Sequence, residues 1–367
     1  MVDIASEEVE HHMPAIRSPE QLEGTKPRVS AADVARRAGV SQAAVSYVMN
    51  GRAGVSVETR GRIVAIAQEL NFRPKQLAAT LRNGRSHIFG LVLAHMANPF
   101  YPELSVGVTD AARAGGYQVF LARTRDDEES LSETIRAMVD RSVDGIVLTV
   151  ARSDNADALR QLRIARTPFV QLSRFFPQAG GDFVGIDDRA AAMEIMHHAL
   201  SHKPESVATI VGPRCSSASA AREQGFVAEA DRQGLSIPSS WRVSVDLTED
   251  GGRRAARHLL RLSKKPRMIV CGSDAIAIGV LEEAFLHGLR VPHDVAVTGF
   301  DGISIAISPL MDLTTIIQPF RLMAQRAVEQ LIQSIENPNS SNERQVIAHS
   351  LRLGSSCGCP RKDIYTP

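Results

Sequence analysis

The side chains with the clearest chemical meaning lie between Ser41 and Asn50, where a predicted helix carries small and polar residues. Side chains at the start of a helix laid in the major groove point at base edges. Gln42 can pair bidentately with adenine, and Ala43 can touch a thymine methyl group. The pattern therefore predicts a DNA-reading helix. Its candidate contacts are Ser41, Gln42, Ala43, Ser46, Tyr47 and Asn50.

Short hydroxyl and amide groups in the same region suit phosphate oxygens better than base edges. These are Ser46, Asn50, Ser56 and Thr59, and ordinary helix capping and solvation is the structural alternative for them. Charge favours DNA contact, because residues 29–85 hold nine Lys and Arg against three Asp and Glu in a chain of net charge +1. Positive charge gathered in one small segment suits contact with phosphates.

Helix signals in this segment predict three short helices around one small core. Ser30 is a good N-cap with Asp33 at the reciprocal capping-box position, Gly39 ends the first helix, and Ser56 caps the third. The first two helices are joined by a tight turn, as in a helix-turn-helix. We expect this all-α domain to span residues 29–74.

The remainder of the chain alternates apolar runs with helical patterns, which indicates parallel α/β layers. The number of elements exceeds one comfortable sheet, so two α/β lobes are expected. Ligands in such sheets bind beyond the carboxyl ends of the strands, which makes the polar residues just after each strand candidates. The predicted strands are 88–93, 119–122, 145–150, 169–172, 207–211, 268–271 and 295–298.

Four scattered cysteines show no disulfide framework, which favours reduced thiols in the cytoplasm. They are Cys215, Cys271, Cys357 and Cys359. Cys357-Gly-Cys359 has the donors for a metal, but no His or second Cys pair stands near it in the sequence, so we expect two free thiols, no metal and no cofactor. The N-terminus lacks the pattern of a secretory signal, and no apolar run approaches the ~20 residues of a membrane span.

An ordered series of motifs resembles the lactose/galactose-repressor family of bacterial transcription regulators over about residues 29–355. It includes V-S-V-E-T-R, E-L-N-F-R-P, A-A-T-L, N-P-F-Y, V-D-G-I-V, R-E-Q-G-F, G-L-R-V-P-H-D-V-A-V-T-G-F-D and L-T-T-I-I-Q-P. The resemblance implies a small helix-turn-helix DNA-binding domain fused to a two-lobed α/β effector domain like the type I periplasmic binding proteins.

The resemblance also implies the division of the chain, with crossings between lobes near 185–187, 317–319 and 337–342. The expected parts are a disordered N-terminal tail 1–28, the DNA-binding domain 29–74, a hinge helix and linker 75–85, the effector-binding and dimerisation domain 86–355 and a C-terminal tail 356–367. Lobe 1 should hold about 86–185 and 320–336, and lobe 2 about 188–316 and 343–355.

The predicted hinge helix carries two further candidate DNA contacts, Ala78 and Leu81. By resemblance, Leu81 is a lever pushed into the minor groove, where apolar wedges unstack a base step and kink the duplex. A simple hinge core residue is the structural alternative. Two levers from a dimer would meet at the centre of a pseudo-palindrome.

Resemblance and strand-end position together predict a cleft for a polyhydroxylated ligand. Carboxylates and an arginine can bind paired hydroxyls, and an aromatic face packs against C–H groups. Core packing is the alternative for the aromatic residues, and turn capping for Asp301. The candidate effector-binding residues are Asn98, Phe100, Tyr101, Arg174, Arg222, Asp274 and Asp301.

Four departures from the family pattern are present. Tyr47 stands where the family often has Arg, which predicts an altered operator. In the cleft, Ser173 precedes Arg174 where sugar binders often show Asp, Ser273-Asp274 stands where the family often has Asn-Asp, and Leu247 replaces a common aromatic. These cleft departures favour a small polar metabolite over a plain hexose. The segment around Leu247 is still expected near the cleft.

The sequence therefore predicts an allosteric DNA-binding transcriptional regulator, a repressor that binds double-stranded operator DNA as a homodimer. No leucine heptads follow Pro360 that would form a tetramer. An enzyme is disfavoured, because the chain shows no nucleotide-binding glycine cluster, nucleophile elbow or metal spacing. A solute-binding receptor for sugar uptake or sensing, without DNA binding, is the alternative.

Overall fold

A computed structural model describes residues 29–49, 52–72, 85–124, 127–150 and 156–360 of the chain. The chain divides after residue 84 into two compact units, here called the head and the body. Among the described residues, no helix is both long and apolar enough to cross a membrane.

The head is a three-helix domain. Its helices are α1 (Ala31–Ala38), α2 (Gln42–Met49) and α3 (Val57–Glu69). The predicted capping box is confirmed: Asp33 N–H donates to the Ser30 hydroxyl over 3.3 Å, and Ser30 N–H donates to the Asp33 carboxylate over 2.9 Å. Gly39 ends α1 with a φ of 66°, a left-handed conformation that glycine adopts without strain. The core side chains are Val34, Ala35, Ala38, Val45, Val48, Ile63 and Ala67.

The first lobe of the body is built on a six-stranded parallel sheet. Its strands are β1 (Ile88–Leu93), β2 (Gln118–Arg123), β3 (Gly145–Leu148), β4 (Phe169–Leu172), β5 (Asp182–Gly185) and β11 (Arg344–Val346). Its helices are α4 (Phe100–Ala114), α5 (Glu128–Asp140), α6 (Ala156–Ile164) and α11 (Phe320–Glu336). The strand order in the sheet is β11-β5-β4-β3-β1-β2. Helix α11 packs against α4 and against β3, β4 and β5.

The second lobe has a four-stranded parallel sheet and a two-stranded antiparallel pair. Its strands are β6 (Val207–Val211), β7 (Arg242–Ser244), β8 (Met268–Cys271), β9 (Ala296–Thr298), β10 (Thr315–Ile317) and β12 (Ser350–Arg352), and its helices are α7 (Asp188–Ser201), α8 (Ser217–Arg232), α9 (Glu249–Leu260) and α10 (Asp274–Leu286). The parallel sheet has the order β7-β6-β8-β9, and β10 pairs with β12. Helix α7 packs on α8, and α9 packs on α10.

Glycines allow α9 and α10 to touch backbone to backbone. A Cβ on Gly279 would overlap the carbonyl oxygen of Glu249, and a Cβ on Gly252 would overlap that of Ile276. No side chain can be accommodated there without moving one helix. This close packing holds α9 directly against α10, the helix that begins at Asp274.

Two of the passages between the lobes lie where the chain leaves β5 for α7 and where it leaves β10 for α11. The prediction for the third passage is wrong. Residues 344–346 pair in parallel with β5 in the first sheet, so the chain crosses only between Val346 and Ser350. The sequence there suggested one strand in lobe 2, but β5 exposes an unpaired edge that the short strand β11 covers.

The predicted C-terminal tail also begins too early. Ser356 donates its hydroxyl to the Val297 carbonyl over 2.7 Å and accepts from Thr314 N–H over 2.9 Å. Cys357 is buried against the core of the body. Residues 356–360 therefore belong to the packed second lobe, because these polar bonds finish the edge next to β9.

Candidate DNA-reading helix and ligand cleft

Helix α2 presents the predicted reading residues on its exposed side. Val45 and Val48 are buried in the head core, whereas Gln42 and Ala43 are exposed and Tyr47 is 42% exposed. The polar and small residues that do not stabilise the core thus face outward, as a groove-reading helix requires. Ser46 is half-buried on the same helix.

Two of the predicted DNA contacts also act as helix caps. The Ser41 hydroxyl accepts from Ala44 N–H over 3.2 Å, and the Ser56 hydroxyl accepts from Thr59 N–H over 3.3 Å. The Ser56 hydroxyl also donates to the Thr59 hydroxyl over 2.9 Å. The structural alternative therefore holds for these hydroxyls, and their contact with DNA stays a prediction.

Three predicted DNA contacts lie outside the described residues: Asn50, Ala78 and Leu81. Within the head, Arg37 pairs with Glu69 over 2.5 Å and ties α1 to the end of α3. Exposed pairs of this kind contribute less than about 1 kcal/mol.

A narrow cleft in the body lies between side chains of the two lobes, at the carboxyl ends of strands as predicted. It collects six of the seven predicted effector-binding residues and the expected Leu247. The first lobe contributes Asn98, Phe100, Tyr101, Ser173 and Arg174, and the second contributes Ser216, Ala218, Ser219, Arg222, Leu247 and Asp301.

The centre of the second-lobe wall is a buried arginine between two carboxylates. Arg222 donates to Asp188 over 2.8 Å, to Asp301 over 3.0 Å and to the Gly272 carbonyl over 2.7 Å. Its guanidinium carbon lies 3.8 Å from the centre of the Phe300 ring. These contacts fix the guanidinium plane in the cleft, so that its orientation is set before any ligand arrives.

Burial shifts the acid–base behaviour of this cluster. Desolvation raises the pKa of Asp301 to about 7, against the opposing effect of the Arg222 charge. Desolvation also raises the pKa of Asp188, again opposed by Arg222. Gln318 donates a further hydrogen bond to Asp301 over 2.7 Å.

Asp274 does not line the cleft, although it follows β8 as predicted. Its carboxylate accepts from the N–H groups of Gly302 and Ile303 over 2.7 and 2.9 Å and from the Thr315 hydroxyl over 2.6 Å. Asp274 therefore holds the turn that carries Asp301, which makes it a positioning residue in this conformation. Its burial raises its pKa to about 6.

The first-lobe wall joins aromatic packing to polar contacts. Tyr101 accepts a 2.7 Å hydrogen bond from Arg174 at its hydroxyl, and Asn98 accepts from Phe100 N–H over 3.0 Å. Phe100 lies edge-on to both Tyr101 and Phe320, with ring centres 5.1 and 5.3 Å apart. Phe100 and Tyr101 are thus core residues that also line the cleft, and their contact with an effector stays a prediction.

Sequence reasoning missed Asp188 and three cleft serines. Asp188 begins α7 directly after β5, a strand too short and too polar at its start to be recognised. Ser216 is notable because its buried hydroxyl has no hydrogen-bond partner within the described residues. An unpaired buried hydroxyl is costly unless a ligand or water completes it.

Hydrogen bonds also join the two lobes beside the cleft. The N–H and hydroxyl of Ser304 donate to the Glu103 carboxylate over 2.9 and 3.1 Å. Phe175 N–H donates to the Ser217 hydroxyl over 2.9 Å. These exposed and half-buried bonds can break without opening either core, which suits a cleft that changes its width.

An exposed helix on a three-helix head and a cleft between two α/β lobes define the class of a ligand-responsive DNA-binding regulator. Residues 30–75 match the family of bacterial regulatory proteins called the lacI family, and residues 86–353 match the periplasmic binding proteins and sugar binding domain of the LacI family. The chain belongs to the lacI family of bacterial regulatory proteins. As a member of this family it is a DNA-binding transcriptional regulator and not an enzyme, which favours this interpretation over a solute receptor without DNA binding.

Individual relatives agree with this assignment. The chain is 32% identical over 313 residues to the ribose operon repressor of Escherichia coli K12, covering 85% of this chain and 94% of that protein. It is also 32% identical over 339 residues to the regulator MalR of Streptomyces coelicolor, covering 90% and 97%.

Solved structures show the same architecture. The transcriptional regulator CelR in complex with cellobiose aligns with a TM-score of 0.69 at 27% identity, over 90% of this chain and 100% of that one. The lac repressor dimer bound to operator and the anti-inducer ONPF aligns with a TM-score of 0.77 at 22% identity, over 90% and 99%.

Proposed function

We propose that this protein is a cytoplasmic repressor that binds a pseudo-palindromic operator as a homodimer and responds to a sugar-like metabolite in the body cleft. The observation that supports it most is the outward face of α2. Gln42, Ala43 and Tyr47 are exposed on this helix, whereas its Val45 and Val48 are buried in the head core. The hinge helix with Ala78 and Leu81 belongs to the same proposal, on the resemblance alone.

The proposed effector is a small polyhydroxylated molecule such as a monosaccharide. Arg222 and Asp301 supply a fixed donor and acceptor, and the Ser216 hydroxyl, which has no hydrogen-bond partner in the part of the chain that the structure describes, supplies a further polar group. Tyr101 and Phe100 provide aromatic surface on the other wall. The relatives named ribose operon repressor and the CelR–cellobiose complex support a sugar as the ligand class.

Two copies are proposed because apolar side chains are exposed at positions that a partner can cover. β2 is an edge strand of the first sheet, and its Phe120 and Leu121 are 45% and 46% exposed. On the second lobe, Phe285 and Leu286 of α10 are 80% and 69% exposed. Exposed apolar residues on an edge strand mark interaction surfaces.

The proposed coupling acts through the width of the cleft. Ligand contacts to both walls would favour one arrangement of the lobes, and the Glu103–Ser304 bonds would form or break with it. A change in lobe arrangement that alters operator affinity is allostery with two sites and two states, so operator must alter effector affinity by the same factor.

Operator selection tests the DNA-binding half of this proposal. The full chain is used to enrich duplexes from a random-sequence library, and affinity for the enriched duplex is measured by fluorescence anisotropy at several salt concentrations. We expect a two-fold symmetric sequence and a steep linear fall of log affinity with log salt, from release of counterions. Enrichment of no sequence would contradict the proposal.

The hinge proposal has its own test. Leu81→Ala should fold normally but lose specific operator affinity, because the apolar wedge is removed. Unchanged affinity in a gel-shift titration would refute the lever role.

A thermal-shift screen tests the effector half. D-ribose, other pentoses, hexoses, cellobiose and free nucleobases are each added to the purified chain, since a ligand of the folded state must raise the melting temperature. A shift with a sugar that disappears in Ser216→Ala supports the proposed site. A shift with nucleobases alone would reject the sugar class while leaving the DNA-binding proposal intact.

A further inference from the structure

Four potential metal ligands meet at one corner of the second lobe, far along the chain from one another. His198 and His202 lie at the end of α7 and just beyond it, four residues apart and thus on one helical face. Cys357 and Cys359 lie on the C-terminal segment that packs beside them. The four donor atoms all lie within 4.8 Å of one another.

The measured separations have the size of a tetrahedral coordination shell. The Nε2 atoms of His198 and His202 are 3.4 Å apart, and His198 Nε2 lies 3.3 Å from Cys357 Sγ. Cys359 Sγ lies 3.6 Å from each of the two Nε2 atoms. Tetrahedral Zn–N and Zn–S bonds of standard length place two nitrogens about 3.3 Å apart and a nitrogen and a sulfur about 3.6 Å apart.

The types of donor agree with this geometry. Imidazole nitrogen and thiolate sulfur are the ligands that structural zinc sites use, and a bound cation deprotonates a coordinating thiol.

One surrounding group is also placed to support a thiolate. The Thr314 hydroxyl lies 3.0 Å from Cys357 Sγ and 2.8 Å from the Gly354 carbonyl oxygen, and its one proton can be donated to either acceptor. Hydrogen bonds to ligand atoms are the usual outer shell of a protein metal site, and they fix the orientation of the ligands. A pair of simple free thiols would need no such arrangement of two imidazoles.

We propose that His198, His202, Cys357 and Cys359 bind one Zn²⁺ ion as a structural site. Two imidazoles and two thiolates satisfy the four positions of tetrahedral zinc and leave none open for catalysis, in keeping with a regulator. The sequence-based expectation of free thiols considered only near neighbours, whereas the two histidines lie more than 150 residues upstream.

The proposed zinc would fasten the C-terminal segment to α7, the helix that pairs with the cleft residue Arg222. α7 begins at Asp188, which pairs with Arg222, and ends beside the cluster. An ion that joins the two histidines to the two cysteines closes a loop of more than 150 residues. Closing so long a loop removes much entropy from the unfolded state, so the ion should stabilise the second lobe strongly. The zinc would thereby hold α7 in place on the side away from the cleft.

Metal content is the first test, made on the full untagged chain purified without chelator. We expect about one zinc per chain, and at least a fivefold loss in Cys359→Ser and in His202→Ala, since each removes one of four ligands. Both altered residues are partly or fully exposed, so their removal leaves the core intact. Cys215→Ser and His258→Ala are matched controls outside the cluster and should retain full zinc.

Cobalt substitution is the second test, because it reports the ligands directly. The chain is stripped with a chelator and titrated with Co²⁺ alone, and we expect the visible bands of tetrahedral cobalt together with a thiolate charge-transfer band. The charge-transfer band should weaken in Cys359→Ser and stay in Cys215→Ser. Added Zn²⁺ should displace the cobalt and raise the melting temperature of the stripped wild type but not of Cys359→Ser.

Three results would overturn the proposal. They are a wild-type chain that is metal-free and gives no tetrahedral cobalt spectrum, zinc that persists equally in Cys359→Ser and His202→Ala, or a Cys357–Cys359 disulfide found by mass spectrometry in freshly purified protein under reducing buffer.

Discussion

The head and the cleft of the body place their predicted binding residues in opposite environments. On α2 of the head, Gln42 and Ala43 are exposed and contribute nothing to the buried core. At the cleft, the lining residues Arg222 and Asp301 and their partner Asp188 are buried and satisfy one another by hydrogen bonds. The proposed partner of the first group is DNA, outside the protein, whereas the hydrogen-bond partners of the second group lie inside it.

This contrast follows from what each region binds. A large polyanion is recognised on an exposed face, where binding energy comes from phosphates and base edges. A small molecule must be enclosed, so its polar contacts are buried and must be paired before it arrives. Substitutions of the exposed head residues should therefore change DNA binding without changing stability. Substitutions of the buried cleft residues should change ligand binding and stability together.

We expect the greatest loss of stability from Arg222→Met, which leaves Asp188 and Asp301 buried without their cation. Breaking a buried ion pair by removing one partner costs about 3–5 kcal/mol. The measurement is urea unfolding of the body, together with loss of the effector-induced thermal shift. Arg214→Met, at an exposed pair with Glu223, should cost less than about 1 kcal/mol, and equal losses in the two variants would remove the contrast.

The cleft should also make stability depend on pH. Burial raises the pKa of Asp301 to about 7, so the folded state holds a proton that the unfolded state releases above about pH 4. The contribution of this carboxyl to the free energy of unfolding is therefore full below about pH 4 and is lost as the pH rises towards about 7.

Asp301→Asn removes the titrating carboxyl and should remove this pH dependence. The free energy of unfolding of the wild type, measured relative to the variant, should therefore fall as the pH rises from about 4 to about 7. Urea unfolding at a series of pH values measures it. Asp140→Asn, at an exposed carboxyl on α5, is the matched control. A constant difference between wild type and Asp301→Asn would show that Asp301 stays ionised throughout.

In the head, Gln42→Ala should weaken operator binding by about tenfold to hundredfold, if Gln42 makes a bidentate base contact worth about 1–3 kcal/mol. The free energy of unfolding should change by less than about 0.5 kcal/mol, because the side chain is exposed. Gln68→Ala, exposed on α3, is the control and should leave both quantities unchanged. A stability loss as large as the binding loss would contradict the separation.

Ser30→Ala tests a residue of the head that does act on stability. It removes the capping box with Asp33 and should destabilise α1 by about 1 kcal/mol. Hydrogen exchange should quicken in the head amides and stay constant in the body. Ser30→Asp, which retains a capping oxygen, should restore most of the protection, and faster exchange in both units would show that they unfold together.

Glu103→Ala should produce the smallest change, since its bonds to Ser304 lie at the surface. We expect less than about 1 kcal/mol in stability but a few-fold change in effector affinity, because these bonds join the two lobes. Isothermal titration with the effector found by screening measures it, and Glu133→Ala on α5 is the control. Identical affinities in the two variants would exclude a role for this bridge in closure.

Several elements could be predicted from the sequence because local signals suffice for them. Unbroken apolar runs marked β1, β4, β6 and β8 at the bounds that the structure shows. The capping box at Ser30 and the left-handed Gly39 needed only residues close in the chain. Fully buried strands and caps are the features whose pattern is local.

Elements that depend on distant partners could not be predicted in this way. β5 begins with Asp182, whose buried carboxylate accepts hydrogen bonds from the Ser334 hydroxyl and from Glu343 N–H, far along the chain. β11 is a short polar strand that exists because it covers the edge of β5. The strand-end rule likewise placed Asp274 in the cleft, but three hydrogen-bond donors turn its carboxylate to the next loop.

The order of residues alone was enough to establish the regulator family, the α/β alternation, the outward polar helix and most of the cleft, because helix caps, apolar runs and motif order are read from neighbouring positions. Only folding decided which carboxylate meets Arg222, where residues 344–346 belong and that two histidines face two cysteines. Those pairings join residues tens to more than a hundred and fifty positions apart, and such distances are closed by packing, which no local pattern encodes.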